Sequence, residues 1–116
     1  MATGRLGAYD LSADTPQSIA QGETNRYTAC SVSLCNRGNE PVKVGIAITT
    51  SVNIIDNIEY IDKDVELLPK SVLERTGIAI KRGEYITVES DSDRVSAVAW
   101  GVESGSTVSV TPIPTN

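Results

Sequence analysis

The chain has 116 residues, enough for one small domain that buries a core of its own. It is 40% hydrophobic and 22% charged, which excludes a disordered chain, and its net charge of −5 has the wrong sign for gripping nucleic-acid phosphates. Histidine is absent and Cys occurs only twice, which removes Ser-His-Asp and Cys-His catalysis, His-containing zinc sites and a four-Cys site.

Phe is also absent, with one Met and one Trp, so the core is built from Val, Ile, Leu and Ala. The N-terminus has no basic segment followed by an apolar stretch, and no window approaches the roughly 18 apolar residues of a membrane span. Synthesis and folding in the cytosol is the expectation we prefer from these features, over a chain without its leader.

Residues 1–12 form an N-terminal arm or an edge strand. Thr15-Pro16 through Gly22 reads as a loop. Tyr27 to Cys35 then alternates strictly, with Cys30, Val32 and Leu34 on one face and Ala29, Ser31 and Ser33 on the other. Five residues of strand span roughly 16 Å and an odd spacing sends side chains to opposite faces. Cys30 and Cys35 therefore do not bridge each other, since a disulfide needs Cα atoms about 4.4–6.8 Å apart; both are small apolar residues.

Asn36 to Pro41 is dense in turn formers, and Val42, Val44, Ile46 and Ile48 alternate after it, completing a hairpin. Residues 52–68 have mixed periodicity; a short helix fits, but β-branched content favours extended chain. Ile78 and Ile80 form the next alternating pair, with Gly77 marking a bulge or a close backbone approach. Lys81 to Glu84 turns, Tyr85–Ser90 is a strand with Ile86 and Val88 inward, and Asp91 to Asp93 turns again.

Arg94 to Glu103 is the longest strand, with Val98, Trp100 and Val102 its large apolar residues. Val98 and Trp100 are assigned to the core on size; an interface anchor is the other role open to Trp100. Thr107 to Thr111 reads as a last strand, and Pro112 and Pro114 make residues 111–116 an extended C-terminal tail or a frayed end. The whole is an all-β chain, an antiparallel β-sandwich or jelly roll of about seven to eight strands, with residues 13–110 as the sandwich domain. The expected core is Val32, Leu34, Val44, Ile46, Ile48, Ile78, Ile80, Ile86, Val88, Val98 and Trp100.

Asp56-Asn57, Asp62-Lys63-Asp64 and Asp91-Ser92-Asp93 lack the Gly and distal Glu of a calcium loop and are assigned to turn chemistry. Glu74-Arg75 and Lys81-Arg82 are solvated strand ends or intersubunit ion pairs. No phosphate loop or dinucleotide fingerprint is present. Catalytic, cofactor-binding and metal-binding residues are therefore none.

In order along the chain, Leu6 to Leu11, Val32 to Gly38, Pro41 to Val44, Tyr60-Ile61, Val72 to Ile78, Gly83 to Val88 and Val95 to Glu103 resemble small β-sandwich virion proteins of tailed bacteriophages. The run from Leu73 to Val88 is the most specific part. The resemblance implies a non-enzymatic structural protein of the virion with no catalytic residue to carry over. It implies a capsid decoration (cement) protein that binds the outer surface of the head and stabilises it, with a tail, collar or fibre component involved in host attachment as the alternative. The implied partner is the major capsid protein or another virion protein.

A negative chain belongs outside a DNA-filled shell, and a homotrimer matches the three-fold points of a head lattice. The arms at 1–12 and 111–116 suit strand addition to a neighbour. A carbohydrate-binding sandwich ranks below these readings, because sugar sites present exposed aromatics and this chain has only Trp100 and four Tyr.

Overall fold

The computed structural model describes residues 3–23 and 27–103. Eight strands run through them: β1 (Thr3–Asp10), β2 (Gln17–Gln21), β3 (Thr28–Asn36), β4 (Val42–Thr49), β5 (Tyr60–Leu67), β6 (Val72–Ile80), β7 (Tyr85–Ser90) and β8 (Val95–Glu103), with one 3-10 turn at Asn57–Glu59. They form two antiparallel four-stranded sheets, ordered β1-β8-β3-β6 and β2-β7-β4-β5. β4 pairs with β5, β3 with β6, β2 with β7 and β1 with β8. The chain is thus one long hairpin, rolled so that β3 also meets β8 and β4 meets β7. This is the eight-stranded jelly-roll order.

The core lies between the sheets. Val32, Leu34, Val44, Ile46, Ile80, Ile86 and Val88 are buried as their alternation dictates. Ile78 and Cys30 join them, while Ile48 is only half-buried. Asn36 is wholly buried yet satisfied: its Nδ2 donates to the carbonyls of Glu40 and Leu67, and its Oδ1 accepts from Gly38 N. That network fixes the turn between β3 and β4.

The inward face of β8 is Val95, Ala97 and Ala99, so the assignment of Val98 and Trp100 to the core is corrected: both are half-buried on the outer face. The reason is pairing by volume. Val32 and Leu34 of β3 lie opposite Ala99 and Ala97 of β8, so large inward side chains on one strand are matched by small ones on the next. β8 is apolar on both faces, and size alone points to the wrong one.

Two other expectations change, and one pair of alternatives is resolved. Residues 17–21, read as loop, are β2; a bulge inserts Ile19 between the pairs Ser18–Thr87 and Ala20–Ile86, erasing the alternation. Of the two readings of the N-terminal residues, arm or edge strand, the edge strand is the one seen at Thr3–Asp10, where β1 pairs with β8. Arg75 is not a solvated strand end but is ion-paired within the chain to Asp62. The strand assigned to Thr107–Thr111 and the 111–116 tail lie outside the described residues.

All four edge strands are bulged. The extra residue falls each time on the outer strand: on β1 between Arg5 and Gly7, on β2 at Ile19, on β5 at two places, and on β6 opposite Ser31. In β6 the bulge uses Gly77, whose φ of +74° suits glycine. Bulged edges are poor templates for pairing with another chain.

Candidate protein-docking surfaces

Two surfaces stand out. The first is the outer face of the β1-β8-β3-β6 sheet. Because β8 carries its small residues inward, its outward set is Ser96, Val98, Trp100 and Val102. The register places Ser31 beside Trp100, Ser33 beside Val98, Ala29 beside Val102 and Cys35 beside Ser96. No charged side chain projects from these eight positions. Charges begin only on the flanking strands: Arg5 beside Trp100, Asp10 beside Ser96, and Glu74 beside Ser33.

Val102 and, on β6, Val72 are 58% and 55% exposed. An antiparallel sheet with one free face normally turns polar residues to water. An uncharged face of small and aliphatic residues carrying one Trp instead has the composition of an interface centre, depleted in charge and anchored by an aromatic.

The outer face of the other sheet gives the contrast. There the β4–β5 connection folds back onto the strands. Ser18 Oγ and Thr87 Oγ1 lie 2.7 Å apart, and Thr87 Oγ1 lies 2.9 Å from Thr49 Oγ1. Asn53 N donates to Ser18 Oγ, and Ser18 N donates to Asn53 Oδ1. Tyr60 donates its hydroxyl to Glu89, while Lys63 reaches toward Glu89 and sits over the Tyr60 ring. This face is hydroxylic and charged: Thr49 and Thr87 are buried beneath the connection with their hydroxyls hydrogen-bonded, and the charges lie on β5 and β7 beside them.

The second surface is that connection itself, the tip of the rolled hairpin. Glu59 Oε1 accepts from Asp56 N and Glu59 Oε2 accepts from Thr50 N, which holds the short turn shut. The turn presents Ile58 at 95% exposure, with Val52 and Ile54 also exposed. A large aliphatic side chain held fully in water on a hydrogen-bonded turn has no folding role, because it buries nothing.

Asp91 behaves as turn chemistry, whereas the assignment of Asp62-Lys63-Asp64 to a turn is corrected: it lies within β5. Asp91 Oδ1 accepts from Lys43 N, and Asp91 N donates to the Lys43 carbonyl. Asp62 faces inward toward Arg75 while Asp64 sits at a β5 bulge with φ 53°. Among the described residues no group of three or more His, Cys, Asp or Glu is arranged to hold a metal. Both thiols are free, Cys30 in the core and Cys35 half-buried on the outer face.

The sequence singled out Trp100 but assigned it first to the core. It missed Ile58, for which a signal existed: Ile54, Ile55 and Ile58 stand in a stretch whose period fits neither a strand nor a helix. Comparison with protein families, with curated proteins and with solved structures found no match.

Proposed function

We propose that this chain is a non-enzymatic structural protein of a bacteriophage virion, a decoration protein that docks on the outer surface of the head and stabilises the lattice of the major capsid protein. The observation that carries this reading is the uncharged outer face of β8 and β3 around Trp100, on a chain whose net charge is −5. Jelly rolls are a common architecture of viral shells, an analogy at the level of fold alone. A protein that binds only the assembled shell stabilises it by mass action, so a rigid sandwich with one adhesive face suffices and no catalytic group is needed. The resemblance of the Leu73 to Val88 run to phage virion proteins points the same way.

The proposed assembly is a trimer. A protruding knob such as Ile58 is not self-complementary, so it suits a head-to-tail contact, which closes as a ring where the rotation between copies is one-third of a turn. With the Trp100 face on the shell, the knobs join neighbouring copies around a three-fold point.

Co-sedimentation with heads assembled without this chain tests the reading. The wild-type chain should bind saturably, and Trp100→Asp or Val98→Asp should weaken binding by about tenfold or more while each variant stays folded at the assay temperature by circular dichroism. Binding of both variants at wild-type strength, or association with tails only, overturns it.

A further inference from the structure

Where β1 and β2 meet, the sandwich opens into a cleft of about 330 Å³, away from the outer face of β8 and β3. Tyr9 enters it from β1 and Tyr85 from β7; Gln17 and Gln21 come from β2, and Asn53 from the β4–β5 connection. We propose that this cleft binds carbohydrate, specifically a neutral pyranose at the end of a glycan.

The lining chemistry selects that ligand class. Tyr9 is 43% exposed and Tyr85 is half-buried, so both offer ring surface to a ligand. Sugar rings present patches of C–H that pack on aromatic faces, and Tyr combines such a face with a polar tip. The Gln21 carboxamide carries a donor and an acceptor on one rigid plane, the pattern that two adjacent hydroxyls match, and Asn53 Nδ2 and Gln17 Oε1 add a further donor and acceptor. No Lys or Arg lines the cleft, and the one charged residue there is Glu23. A phosphate, sulfate or sialic acid would meet a carboxylate and no counter-charge. A purely apolar ligand would leave the amides unpaired.

The cleft is also built rather than incidental. A Cβ at Gly7 would stand 2.1 Å from the Ile19 carbonyl oxygen and 3.3 Å from the Tyr9 ring, so only glycine lets β1 approach β2 with Tyr9 beside it. Asn53 is held on the opposite side by its two bonds to Ser18, whose amide occupies Oδ1 and leaves Nδ2 to donate. Gln17 Nε2 donates to the Ser18 carbonyl, which fixes that amide as well. The ligand would meet side chains already held in place, which reduces the ordering cost of binding.

The site is independent of the head assignment. With the Trp100 face against a shell, the cleft remains on a different side of the domain, open to a host-surface or medium glycan.

Saturation-transfer NMR and titration calorimetry on the 116-residue chain test the proposal. The probes are glucose, galactose, N-acetylglucosamine and their short oligomers, with sialic acid as the anionic control. The expected result is transfer to the ring protons of at least one neutral sugar and none to sialic acid. Tyr9→Ala and Gln21→Ala should each weaken binding about tenfold or more. Tyr9→Phe should retain it, and Glu66→Gln, on exposed β5, should bind as wild type, all with unchanged thermal unfolding. No transfer from any neutral sugar, equal binding by Tyr9→Ala and Gln21→Ala, or binding of only an extended peptide along β2 overturns the proposal.

Discussion

Arg75 and Asp62 join the two sheets along the β5/β6 edge by a two-pronged ion pair. Arg75 Nε donates to Asp62 Oδ2 and Nη2 to Oδ1, each at 2.6 Å. The pairing explains the direction of both side chains: Arg75 lies opposite Val32 and Asp62 opposite Ile46, so both turn inward from edge strands. The Asp62 side chain is only 8% exposed, while Arg75 is half in solvent. The carboxylate raises the Arg75 pKa still further, first through the hydrogen bonds and then by charge.

Removing Arg75 should therefore cost more than an ordinary surface pair. Arg75→Ala leaves a buried carboxylate without its donors, a loss of about 1.5–3 kcal/mol for hydrogen bonds to a charged group. Arg75→Lys should recover only part of it, because an ammonium cannot reproduce the fork. Urea unfolding of the two variants checks this; wild-type stability in Arg75→Ala would show that the pair is worth no more than an exposed one.

Two substitutions in β8 should invert the expectation drawn from side-chain size. Trp100→Ala, on the outer face, should cost about 1 kcal/mol, well under the roughly 3–5 kcal/mol of a core Trp. Ala97→Leu or Ala99→Leu, inward against Leu34 and Val32, should overpack the core and cost about 1–3 kcal/mol or more. Denaturant midpoints decide between the two faces.

The thiols should separate by reactivity and by pH. Cys35 should react with a thiol reagent in the native protein, and Cys30 only after unfolding, giving two titratable thiols in all. Burial pushes the Cys30 thiol up to about 11. The native state then holds its proton where the unfolded chain has lost it, so stability falls as pH rises from the unfolded value toward 11, by up to about 1.4 kcal/mol per unit. Tyr60 titrates still higher, pushed up to about 12 by burial and by its bond to Glu89, and acts in the same sense. Cys30→Ala should flatten the alkaline limb; an unchanged limb would remove Cys30 as its cause.

Strand existence was legible where one face is apolar and the pairing regular. In β3, β4 and β7 the alternation named the buried residues directly, and the odd spacing of Cys30 and Cys35 placed the thiols on opposite faces. It failed where a bulge adds a residue, as at Ile19 in β2 and at two points in β5, because one insertion reverses the face of everything after it. In β8 both faces are apolar, so the pattern carries no preference, and only the volume match to β3 decides it. The surfaces are less legible still. Tyr9 and Tyr85 meet in one cleft only because the hairpin is rolled, and the exposure of Ile58 follows from a turn held by Glu59 rather than from its neighbours in sequence.

Glycine at position 7 should be far less replaceable than at position 77. Gly7→Ala drives a Cβ into the Ile19 carbonyl, so β1 must shift away from β2. Gly77→Ala meets nothing within 4 Å and pays only for its positive φ, about 1–2 kcal/mol. Gly7→Ala should therefore lower the melting temperature more than Gly77→Ala and increase hydrogen exchange in β1; equal effects would contradict the close approach.

The central claim, that the uncharged face around Trp100 docks this protein on a viral shell, is tested most directly by electron cryomicroscopy of particles carrying the chain. The account predicts density for the jelly roll outside the head, in threes at three-fold points, with β8 and β3 against the capsid protein and the β1/β2 cleft facing outward. Density confined to the tail, or a head-bound domain with Trp100 turned to solvent, would contradict it.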